Sequence, residues 1–205
     1  MKVEIFDPNH FATTGKIFAD AFEDPRRFAY HGTSTLHASS IEQQGFRPYF
    51  KLFDPLDLIE LAQSIPDQTN SCVEWLQREA TGAKRLSFAQ YAVRAAAYAM
   101  AGQSVRVIQN AMAAGGVLPP AIASFMQQAQ QSQPCIYVID FEDLTDLDIT
   151  LEYGVIHCKT SLPASRVAAK MILPIHPAVQ AAAQGLPPAY QDLRTALGAK
   201  ISNRR

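Results

Sequence analysis

Cysteine is scarce in this chain of 205 residues: Cys72, Cys135 and Cys158 are odd in number, widely spaced and form no CxxC pair. That argues against a disulfide framework and fits a reduced compartment. Charge of one sign is missing as well. Eighteen Lys and Arg stand against nineteen Asp and Glu, a formal net charge of −1. No basic excess therefore exists to hold nucleic acid or an anionic membrane by charge alone. The most apolar stretch, Val105 to Met126, is broken by Gln109, Asn110, two glycines and two prolines, which excludes a membrane span. Internal repeats are absent, and QQAQQSQ near residue 130 is only a short polar patch. The opening MKVEIFDPNHF has no charged-then-apolar signal pattern. The expected location is the cytoplasm, or a target cell reached by export without an N-terminal signal.

What is present is ordinary globular composition, 48% apolar and 18% charged, which excludes general disorder. A chain of this length can bury roughly 70% of its unfolded surface, and one domain spanning residues 1–205 is expected. Within it, a helical insertion is expected around residues 47–84 and a proline-punctuated tail after residue 174. Residues 9–23 have helix-compatible spacing, and Phe28-Ala29-Tyr30 suits a strand. Ser34 or Thr35 can cap a helix through Gln44, with Gly45 as its stop and Phe46 packing back. Helices are expected at Leu56–Ile65, Val73–Glu79 and Tyr91–Ala101, with two more on either side of GGVLPP. Strands are expected at Arg85–Ala89, at CIYVIDF (135–141), along TLEYGVIHC (150–158) and in AKMILP; a last helix is expected near 189–199. Mixed but not alternating elements favour an α+β fold.

Three segments carry residues that can do chemistry. In AYHGTSTLHASSIEQQGF (29–46) a histidine ends a strand and a glycine follows. Glycine lets a flat ligand approach the backbone, and an imidazole offers one donor and one acceptor. A strand-to-helix turn with a satisfied structural histidine is the plain alternative. In RLSFAQYAVRAAAYA (85–99), Tyr91, Ala95 and Tyr98 share a helical face. Two tyrosines separated by a small residue form a slot in which a ring can stack, or else pack as core. In TLEYGVIHC, Glu152 is read as opening a strand of residues that favour burial. A carboxylate there is exposed, paired or functional.

In their order and spacing, these segments resemble the ADP-ribosyltransferase superfamily, specifically its His-Tyr-Glu branch of diphtheria-like toxins and poly- and mono-ADP-ribose polymerases. The resemblance rests on His31-Gly32-Thr33 before a helix with a Gly-Phe exit, on Phe88-Ala89 with Tyr98 ten residues after the phenylalanine, and on Glu152-Tyr153-Gly154-Val155. It covers residues 28–46, 85–100 and 135–173. It implies a split antiparallel β-sandwich core with flanking and inserted helices. It also implies that NAD is the substrate and that ADP-ribose passes to a macromolecular acceptor, a protein before a nucleic acid; since nicotinamide leaves as a neutral molecule from a cation, no metal is expected to be needed. A toxin or effector role follows from the same resemblance, with an inhibitor or antitoxin protein as a further partner and no membrane.

Residue by residue, the resemblance implies that His31 bonds a ribose of NAD, that Gly32 pairs through its backbone with the nicotinamide amide, and that Thr33 contacts the adenine-side ribose. Tyr98 stacks on nicotinamide, and Glu152 bonds the 2′-hydroxyl of the nicotinamide ribose. The last role has a physical basis: nicotinamide loss leaves an oxocarbenium-like sugar, which a fixed carboxylate stabilises more than the ground state. Ser87 stands where the family has a tyrosine wall, and Tyr91 is the aromatic at hand to replace it. Position 150 is Thr150, which lacks the second carboxylate of the arginine-modifying branch. Two alternatives are an RNA 2′-phosphotransferase, although no Arg-His dipeptide occurs, and an inactive module that binds NAD or a partner.

Overall fold

In CIYVIDF the five residues from Cys135 to Ile139 are all buried, so both faces of this strand are covered. Such a strand belongs inside a sheet. β4 (Pro134–Asp140) accordingly lies between β2 (Phe28–Ser34) and β7 (Val167–Ile172). The structure, a computed structural model, describes residues 1–48, 52–82, 85–144, 148–152, 155–174 and 176–184. The expected helix near 189–199 lies outside them. The remaining strands are β1 (Lys2–Ile5), β3 (Leu86–Ala89), β5 (Ile149–Glu152) and β6 (Val155–Cys158). They form a seven-stranded sheet in the order β1-β7-β4-β2-β3-β6-β5, and with the helices give an α+β fold.

Every neighbouring pair is antiparallel except β1 with β7. The ladder is narrowest at the joint between β2 and β3, where Tyr30 opposite Ala89 is the one registered pair. One sheet face packs Tyr30, Ile136, Val138 and Met171 under α5 (Ala92–Ala101), with Phe11 of α1 (Pro8–Thr14) and Val179 of α8 (Pro177–Gln184) in the same core. The other face packs Ala29, Phe88, Tyr137 and Ile156 with Phe46 and with Ile41 of α2 (Ala38–Gln44).

A second compact unit, residues 49–84 together with 101–132, is helical. It contains α3 (Pro55–Ser64), α4 (Ser71–Thr81), α6 (Gln103–Ala113) and α7 (Pro120–Gln130). The carboxylate of Asp54 accepts the Leu56 N–H at 2.8 Å and Pro55 opens α3, while Asn70 accepts the Cys72 N–H at 2.9 Å, both ordinary N-terminal caps. Leu61 and Leu76 from the first segment share one core with Ile108 and Ile122 from the second.

Several local expectations are corrected. The helix predicted over 9–23 stops at Thr14, because Gly15 adopts φ 71° and returns its N–H to the Phe11 carbonyl. Neither Ser34 nor Thr35 caps α2: a 3₁₀ turn over Thr35–His37 intervenes, and the Thr35 hydroxyl instead accepts the Gln133 N–H at 3.0 Å. TLEYGVIHC is two antiparallel strands with Glu152 opposite Val155, so Glu152 ends β5 and does not open a strand. β1 was not among the expected strands.

Candidate functional site

The pleat of β2 sorts its residues between the two faces. Phe28 and Tyr30 enter the core beneath α5, and Ala29 the opposite core. Gly32 has a specific reason to be glycine. A Cβ there would lie 1.8 Å from the Ala95 carbonyl oxygen and 3.0 Å from the Ala99 nitrogen. Helix α5 thus rests directly on the strand at this position. Ala95 is fully buried, so the gap between Tyr91 and Tyr98 is taken by the Gly32 backbone. Tyr98, on the same helix, is 47% exposed, and Tyr91 is half-buried.

His31 points the other way, edge-on against Phe46 and Phe88 with ring centroids 5.0 and 5.7 Å away. Its Nδ1 lies 2.9 Å from the carbonyl oxygen of Ser87 on β3. A carbonyl only accepts, so Nδ1 carries the proton and Nε2 keeps a lone pair directed elsewhere. Burial pushes the imidazole below its ordinary pKa of 6.5, the Ser87 bond opposes this, and nearby His37 adds to the lowering. A neutral ring in one tautomer results.

The hydroxyl of Ser87 pairs with Nδ1 of His157 at 3.1 Å. Ser87 is therefore held at two points, its carbonyl by His31 and its hydroxyl by His157. His157 stands opposite Ser87 on β6 and opposite Thr150 on β5. The neighbouring Cys158 turns into the core beside Phe88 and Ile156, so the adjacent His-Cys pair does not converge. Thr33 is half-buried opposite Cys135. Glu152 is described by its backbone alone; its side chain, with Tyr153 and Gly154, lies outside the described residues. One registered row runs from Glu152 through Val155 and Ala89 to Tyr30, the residue before His31. β5 and β2 are three strand spacings apart, about 14 Å.

A second row carries polar groups that the sequence reading missed. Lys170 stands opposite Tyr137, which stands opposite His31. From α2, the Glu42 carboxylate accepts from the Tyr137 hydroxyl at 3.1 Å and from the Lys170 ammonium. The Lys170 bond, more than the Tyr137 bond, holds the Glu42 carboxyl below its usual range against partial burial. Tyr137 also lies edge-on to Phe46. This network ties α2 to the sheet on the His31 side. Its only sequence signal was a tyrosine and a lysine in strands read as apolar, and register was needed to join them.

Among the described residues, no group of three or more His, Cys, Asp or Glu is arranged to hold a metal ion. No helix there is long and apolar enough to cross a membrane. Comparison with protein-family models, curated proteins and solved structures finds no match to this chain.

Proposed function

We propose that this chain is an NAD-dependent mono-ADP-ribosyltransferase with an ADP-ribosyltransferase-like core. It would cleave the bond between nicotinamide and ribose and pass ADP-ribose to a macromolecular acceptor. The observation that carries the reading is the bond from His31 Nδ1 to the Ser87 carbonyl, located where the sheet narrows to the single pair Tyr30–Ala89. It leaves a neutral imidazole whose Nε2 can accept from a ribose hydroxyl, at the seam expected of a split core. α5, which rests on Gly32 and bears the exposed Tyr98, lies on the face of β2 opposite His31.

In this reading, the C1′–N bond breaks and its electron pair neutralises the pyridinium nitrogen, so nicotinamide leaves uncharged. Positive charge grows at C1′, where the Glu152 carboxylate stabilises it, and a nucleophile of the acceptor then bonds C1′. Tyr98 supplies a stacking surface for nicotinamide. The test incubates the protein with labelled NAD and candidate acceptor proteins. Glu152→Gln is expected to reduce transfer at least about a hundredfold, the scale of losing an electrostatic stabiliser. Transfer by that variant at the parent rate overturns the assignment. The pairing of Ser87 with His157, in place of a tyrosine wall, favours a second reading as a binding module. Calorimetry showing NAD binding without nicotinamide release selects that reading.

A further inference from the structure

We infer that the free edge of β1 is a two-fold interface at which a second copy of this chain pairs, β1 against β1. Among the described residues, β1 is the edge of the sheet and hydrogen-bonds only to β7. Its outer side therefore presents unpaired backbone donors and acceptors, a template for another strand. Exposed apolar residues lie on and just before this strand: Met1 is 56%, Val3 66% and Ile5 89% accessible, and Ile172, opposite Ile5 on β7, is 41%. Natural edges are blunted by charge and short length, and β1 carries Lys2 and the largely buried Glu4 on one face; Val3 and Ile5 on the other face, with Met1 before them, still leave an exposed apolar row.

The charges identify the occupant. Lys2 and Glu4 have opposite signs, flank Val3 and pair with each other within the chain at 2.6 Å, with the Glu4 side chain only 15% exposed. In an antiparallel pairing of two copies centred on Val3, each Lys2 meets the other copy's Glu4, Val3 meets Val3, and Met1 meets Ile5. Centring on Lys2 instead opposes two ammonium groups, and centring on Glu4 opposes two carboxylates. Like charges directly opposite are unfavourable and unlike charges favourable, so this strand is self-complementary in one register. A closed two-fold contact of that kind yields a dimer with a continuous sheet and no further growth at this edge.

Sedimentation velocity on the full chain, from micromolar to submillimolar concentration, reads the result. The parent is expected to dimerise. Lys2→Glu alone and Glu4→Lys alone each set like charges opposite at both symmetric pairs and should self-associate about tenfold more weakly. An equimolar mixture of these two variants brings unlike charges together across the two-fold and should recover association, although neither variant retains its internal Lys2–Glu4 ion pair. The double variant should dimerise like the parent. Far-UV circular dichroism checks that every variant is folded. A parent that stays monomeric overturns the inference, as does dimerisation insensitive to the single substitutions or assembly beyond the dimer.

Discussion

At the scale of single residues, the site region is shaped by close approach. Gly32 serves packing before it serves any ligand, since a methyl group there would strike the Ala95 carbonyl oxygen at 1.8 Å. Gly32→Ala should cost about 3 kcal/mol of stability, the upper range for forced overpacking, measured by urea unfolding. A cost below about 0.5 kcal/mol would mean that α5 does not rest on this strand. Titration makes a second prediction. Burial holds the His31 and His37 imidazoles below their ordinary 6.5, so on acidification the unfolded chain takes up protons that the folded chain refuses. Their contribution is fully present above pH 6.5 and is lost as pH falls from there towards the depressed folded values. Unfolding free energy should therefore decline with pH across that window, and His37→Asn should flatten the slope. A slope unchanged by that substitution would remove His37 from the account. The histidine, the glycine and Ser87 were all legible as chemistry-bearing types. The partners were not, because the Ser87 carbonyl and His157 reach them through strand register.

At the scale of elements, the expected helices of the second unit are present, while the cap expected at Ser34 or Thr35 and the helical spacing over 9–23 misled. In the second unit α3 and α4 begin at oxygen-bearing caps, Asp54 and Asn70, whereas α6 and α7 begin at Gly102 and Pro119 with no side-chain cap. Asp54→Ala should cost about 1 kcal/mol, visible as faster amide hydrogen exchange in the first turn of α3; unchanged exchange there would deny the cap. The stretch over 9–23 had helical spacing throughout, yet a single left-handed glycine ends α1 at Thr14. Its apolar residues Ile17 and Phe18 still reach the core, buried to within 2%. In TLEYGVIHC, apolar content read as one long strand, whereas β5 and β6 pair antiparallel with Glu152 opposite Val155. β1 does alternate, Val3 and Ile5 against Lys2 and Glu4, but its apolar residues are the exposed ones and its partner β7 is distant in the chain.

At the scale of the molecule, the segment expected as an insertion around 47–84 does not close a core by itself. Leu58, Leu61, Val73 and Leu76 bury against Ile108, Ala111, Ile122 and Met126. Deleting residues 52–82 should therefore expose that apolar set and give a protein that binds a hydrophobic dye or precipitates. A soluble, dye-negative deletion would show that α6 and α7 do not need α3 and α4. The chemistry-bearing side chains, the helices of the second unit and the strand along CIYVIDF followed from the chain's own order of residues, since each depends on chemistry within a few positions. Strand order, the single-pair joint between β2 and β3, the rows that set Lys170 beside Tyr137 beside His31, and the shared core of two separated helical segments came only from tertiary structure. Hydrogen-bond register and burial join residues remote in sequence, and no local pattern records which of them will meet.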